Sequence, residues 1–156
     1  MTLSVTLPTK AYLKQYVLFR HNTKEALNLS SKGEITLVLR TLLEGKRMNM
    51  RPIPNEYELD EKNFDTSIQL IVPKTESRWG RIVITDEVVM FANQFIRMSF
   101  LEFIIHRIHF NKQHGVSAKD TILSTLEEIG ISEMINDESV IKATYRLRSA
   151  RGLEKF

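Results

Sequence analysis

A chain of 156 residues with 42% apolar and 26% charged residues has ordinary globular proportions, which excludes wholesale disorder and leaves room for one core with at most a small appendage. It contains no cysteine, which excludes disulfides, thiolate metal sites and a thiol nucleophile. The net charge of +3 is unevenly spread: residues 1–51 carry +6, residues 52–66 carry −4 and residues 142–156 carry +4, a pattern that suits an anionic partner or an ordinary solvated surface.

Residues 3–7 alternate, with Leu3, Val5 and Leu7 on one side and Ser4 and Thr6 on the other, which predicts a short strand. No basic region followed by an apolar run precedes it, so no secretory leader is expected and the cytoplasm is the default location. Pro8 is expected to end the strand and open a helix over 9–20, where Ala11, Tyr12, Gln15, Tyr16 and Phe19 recur at helical spacing. Residues 21–28 have no period and read as a connection. Ser31 and Glu34 have the spacing of a capping box, and Ile35, Val38, Leu39, Leu42 and Leu43 give a helix over 32–44 its apolar face.

Residues 46–65 hold Pro52, Pro54 and the acidic cluster and read as a loop. Residues 67–72 and 78–84 are expected to pair as an antiparallel hairpin. Thr85 caps a long helix that runs toward Gln113, with Asp86 and Glu87 in its first turn. Fifteen of the 23 residues from Val88 to Phe110 are apolar, too many for one stripe, so this helix is expected to be surrounded by other elements or to form a subunit interface. Asn93, Gln94, Arg97, Glu102, His106 and Arg107 interrupt it, against a membrane span. Two further helices follow, over 118–129 with Gly130 as its stop, and over 138–151 after an Asn136 or Asp137 cap.

The expected fold class is therefore α+β: mostly helical, with a long central helix, a small antiparallel sheet and a C-terminal helix pair. The expected organisation is a strand–helix–helix segment over 1–51, an acidic linker over 52–66, and a hairpin plus helical domain over 67–156.

Two stretches point toward DNA. The short strand, the Leu7-Pro8-Thr9-Lys10-Ala11-Tyr12-Leu13 run and the capped helix after Ser31 resemble the ribbon-helix-helix family, in which two chains pair their strands into a ribbon that enters the major groove. That resemblance implies base contacts from Thr2, Ser4 and Thr6 and a phosphate clamp at residues 30–33, including Lys32. The C-terminal helix pair resembles a helix-turn-helix. Glu138, Lys142, Arg146 and Ser149 share one face of the last helix, with Arg148, Arg151 and Lys155 nearby to neutralise phosphates. The opening run and the closing Tyr145-Arg146-Leu147-Arg148 are also similar to small proteins of phages and mobile elements, which implies a genomic setting.

Other constellations carry less. Glu102, His106, His109 and Gln113 share one side of the long helix and include zinc-type donors, but there is no H-E-x-x-H motif, and the strip reads as that helix's solvated side. Lys74, Arg78, Trp79 and Arg81 join cations to an aromatic at the expected hairpin tip, where a Trp also serves as an anchor. There is no phosphate-binding glycine loop, dinucleotide fingerprint or nucleophile elbow. The sequence thus predicts a non-catalytic DNA-binding accessory or regulatory protein with no cofactor or small-molecule substrate. Homo-oligomerisation is expected through the long apolar helix. The alternative is an oligomerising protein-interaction or structural role without nucleic acid.

Overall fold

The computed structural model describes residues 3–43, 64–72 and 84–151. Its elements, in chain order, are β1 (Leu3–Thr9), α1 (Ala11–Arg20), β2 (Ala26–Asn28), α2 (Glu34–Leu43), β3 (Thr66–Val72), α3 (Asp86–Lys112), α4 (Ala118–Ile129) and α5 (Asp137–Ala150). The fold class is α+β, with a small sheet, one long helix and a C-terminal helix pair. The chain divides into two compact units, residues 1–96 and 97–156, with the boundary inside α3.

In the first unit β3 is the middle strand, with β1 antiparallel on one side and β2 parallel on the other. The sheet is therefore mixed rather than purely antiparallel. Alternation along the strands sorts the side chains. Leu7, Thr9, Leu27, Ile68, Leu70 and Val72 are buried on one face, while Ser4, Thr6, Asn28 and Gln69 are exposed on the other. Register brings Leu7 opposite Ile68 and both Val5 and Leu27 opposite Leu70. The strand 66–72 thus shares a sheet with the N-terminal segment. The second strand of the expected hairpin, its tip with Lys74, Arg78, Trp79 and Arg81, and most of the acidic linker lie outside the described residues.

Three local expectations change. Pro8 does not end β1 but sits within it opposite Ser67. A proline lacks only a donor, and β1 is an edge strand among the described residues, so the ladder loses little. Residues 26–28, read as a connection, form β2. The Ser31 hydroxyl does not cap α2, because it donates to the Asn28 carbonyl at 2.6 Å. The helix starts instead at Glu34, after Gly33 at φ +149°.

α1 begins at Ala11, whose amide donates to the Asp65 carboxylate at 3.0 Å, a cap supplied from 54 residues away. It ends where Asn22 takes a left-handed φ of 48°. Tyr12, Leu13, Tyr16 and Val17 are buried, and α1 packs on β3 and β2. Ile35, Val38, Leu39 and Leu42 form the buried stripe of α2. The start of α3 contributes Ala92, Asn93 and Ile96 to the buried set. Asn93 is fully satisfied. Its carboxamide oxygen accepts from the Thr9 hydroxyl at 2.5 Å, and its nitrogen donates to the Pro8 and Val89 carbonyls at 2.8 and 2.9 Å.

In the second unit the remainder of α3 buries Phe100, Leu101, Ile104, Ile105 and Ile108. α4 buries Ile122, Leu126 and Ile129, and packs on α5. By length and composition alone, α3 is the one helix among the described residues that could cross a membrane. Its four isoleucines, Ile96, Ile104, Ile105 and Ile108, are all buried.

Candidate nucleic-acid interface

α5 is positioned at its N-terminal end. The Asn136 side-chain oxygen accepts from the Glu138 amide at 2.9 Å, and Asp137 and Glu138 place carboxylates in the first turn, where the helix dipole favours them. The residues before it, 130–136, form the seven-residue connection from α4. Gly130 takes φ +85°, and the Ile131 amide returns to the Leu126 carbonyl at 2.9 Å. Ile131 is buried directly after this left-handed glycine, so the turn is anchored by a hydrophobic contact as well as by hydrogen bonds.

Helical periodicity then divides the side chains of α5. Val140, Ala143, Thr144, Leu147 and Arg148 face inward. Thr144 satisfies its hydroxyl by donating to the Val140 and Ile141 carbonyls, both at 2.9 Å. Glu138, Lys142, Tyr145, Arg146 and Ser149 form the exposed face. Neither Lys142 nor Arg146 forms an ion pair among the described residues, and they stand one helical turn apart.

Two arginines expected on this surface are elsewhere. Arg148 is 1% exposed, because position 148 follows Val140 and Thr144 at i+8 and i+4 and so falls on the inner side. Charge counting placed it outside, whereas the helical period places it inside. Arg151, beyond the last turn, forms an ion pair with Glu102 of α3 and lies 3.9 Å from the Met98 sulfur. That pairing occupies both a proposed phosphate contact and the carboxylate of the histidine strip. Among the described residues no group of three or more His, Cys, Asp or Glu side chains is arranged to hold a metal ion. Of the two α4 carboxylates that would repel a phosphate backbone, Glu127 is exposed and Glu128 accepts a two-point hydrogen bond from Arg107. Arg107 also stacks 4.5 Å above the Phe103 ring. This pairing holds the Glu128 carboxyl below its ordinary value, chiefly through the Arg107 hydrogen bonds and with help from its charge, against the opposing effect of burial.

The N-terminal candidates belong to the first unit. Ser4 and Thr6 are exposed together on the outer face of the sheet, where Ser4 Oγ accepts from Gln69 Nε2 at 2.7 Å. β1 pairs with β3 of its own chain, so the described ladder is not that of a two-chain ribbon. Lys32 is exposed just before α2. The neighbouring hydroxyls are engaged locally: Ser30 donates to the Asn28 carboxamide at 2.7 Å and Thr36 to the Ser31 carbonyl at 2.7 Å. Thr2 and Lys155 lie outside the described residues.

Apolar spacing groups Tyr145 with Val140, Ile141, Thr144 and Leu147 on the inner side of the last helix; it is exposed instead, because its spacing of three from Lys142 sets it on the outward face. Sequence reasoning also passed over a cleft of about 670 Å³ beside the α4–α5 connection, lined by Leu123, Leu126, Met134, Ile135, Asp137 and Glu138 among others. No family model, curated protein or solved structure matches this chain.

Proposed function

We propose that this chain is a non-catalytic, cytoplasmic DNA-binding accessory or regulatory protein, in the phage or mobile-element setting its sequence resembles. The observation that carries the reading is the outward face of α5, where Lys142 and Arg146 stand exposed and without ion pairs among the described residues, beside Tyr145 and Ser149. An ammonium and a guanidinium on one helix face neutralise phosphates, and the major groove admits an α-helix. With Arg148 buried and Arg151 paired, the contact set is smaller than charge counting implied.

Fluorescence anisotropy on a labelled duplex across a salt series tests this. Wild type should bind in a salt-dependent way. Lys142→Ala/Arg146→Ala should weaken binding about tenfold and reduce the slope of log K against log salt by about 2. No affinity for duplex DNA, or a slope that the double variant leaves unchanged, overturns the reading.

A protein-interaction role is the second reading. It is favoured by the large apolar side chains left on the surface of the second unit, with Phe110 at 63% and Met134 at 50% exposure.

A further inference from the structure

The exposed face of α5 and the cleft beside its first turn form one continuous surface, since Glu138 belongs to both. The surface is electrically two-ended. Glu133, Asp137 and Glu138 make its beginning acidic, and Lys142 and Arg146 make its continuation basic. Between Glu138 and Arg146 the helix rises about 12 Å at roughly 1.5 Å per residue, so the two ends are separate patches rather than one neutralised cluster. Its apolar parts are equally divided. The acidic end holds a recess with Leu123, Leu126, Met134 and Ile135, and the basic end presents Tyr145 at 40% exposure.

A surface that is acidic and hollow at one end, and basic with an aromatic at the other, complements itself when turned through 180°. We infer that α5 packs antiparallel against α5 of a second copy about a twofold axis near Lys142, with the two long Lys142 side chains turned away from that axis toward solvent. Arg146 of each copy then lies over Glu138 of the other, and Tyr145 enters the other copy's recess between its flanking carboxylates. Twofold interfaces require this self-complementarity, and every contact in them is made twice. An aromatic in a recess with charge pairs at its rim is the usual composition of a stable contact. The antiparallel arrangement also sets the two helix dipoles in their favourable sense. This inference does not rest on the DNA reading, and it adds a consequence where both hold: a duplex and the second copy compete for Arg146 and for the same face of α5.

Sedimentation of the full chain without DNA, over concentrations reaching the high micromolar range and at low and high salt, tests it. A dimer that weakens with salt is expected. Glu138→Arg alone and Arg146→Glu alone should each weaken it by about tenfold or more, because each sets like charges together twice. An equimolar mixture of the two single variants, or both changes in one chain, should restore dimerisation, since opposite charges meet again in either case. Circular dichroism confirms that each variant is folded. A wild type that stays monomeric overturns the inference. So does a dimer indifferent to salt and to both charge reversals, which would place the interface elsewhere, for example on α3. Loss of DNA binding with the dimer intact, or the reverse, separates the two readings.

Discussion

Asn93 shows how much a single buried polar side chain can organise. It is the hydrogen-bond partner of the Thr9 hydroxyl, the Pro8 carbonyl and the carbonyl one turn earlier in its own helix. Asn93→Ala should therefore cost about 2–3 kcal/mol in urea denaturation, because it strands buried groups as well as deleting bonds. Thr9→Val combined with Asn93→Leu should cost less than the sum of the single changes. The glycines make a second comparison. A side chain at Gly130 meets nothing within 4 Å, so Gly130→Ala carries only the left-handed backbone cost of about 1–2 kcal/mol. At Gly33, φ is +149° and a Cβ would approach His21 Cε1 to 3.0 Å, so Gly33→Ala should lower the melting temperature more than Gly130→Ala. Gly130 was readable as the stop of α4, but the contacts of Asn93 and Gly33 were not. Asn93 reads as a polar interruption of an apolar helix, and only its position opposite the end of β1 makes it a tie. Arg148 is the opposite lesson: the period that exposes Lys142 and Arg146 was already in the sequence, and it turns Arg148 inward.

At the scale of elements, the long periodic stretches were readable because helix formation is decided locally. The runs behind α3, α4 and α5 carry their own caps, stops and apolar stripes, and their ends fall within a residue or two of expectation. The sheet was less readable. β2 is three residues long and exists only because β3 lies beside it, so no periodicity announces it. Pro8 looked like a terminator because the sequence does not show that β1 is an edge strand. α1 lacks a side-chain cap from its own N-cap residue, Lys10, and receives one from Asp65 instead. Asp65→Ala should destabilise the first unit by about 1 kcal/mol, with the loss seen as faster amide exchange in the first turn of α1. A clear cap signal within residues 8–11 would have made that dependence unnecessary.

For the molecule as a whole, two titrating groups set a pH response of opposite origin. Burial, and then the Arg20 charge, push the His21 imidazole below its ordinary value of 6.5. The unfolded chain then holds more protons than the folded one just below pH 6.5, so stability is complete above that pH and declines as pH falls toward the lowered value. His21→Gln should flatten the urea midpoint between about pH 7.5 and 5.5. Glu128 acts further down. Its carboxyl is depressed from 4.5, so the Arg107 pair contributes above that pH and is lost as pH falls through the depressed value. The pair is largely solvent-exposed, so Arg107→Gln should change stability at neutral pH by less than about 1 kcal/mol. The division into units at residues 96 and 97 was not legible, because a helix with continuous periodicity gives no local sign of where its packing partners change.

The order of the strands carries one more consequence. β3 is the last of the three to be synthesised, yet it supplies every described ladder bond of the sheet, since β1 and β2 each pair with it and not with each other. Until Thr66–Val72 has emerged from the ribosome, β1 and β2 lack their described partner, and closure of the roughly sixty-residue connection between β1 and β3 must precede any reward in pairing. The N-terminal half therefore waits for its centre, and chaperone occupancy during translation should persist until Val72 has emerged and fall afterwards.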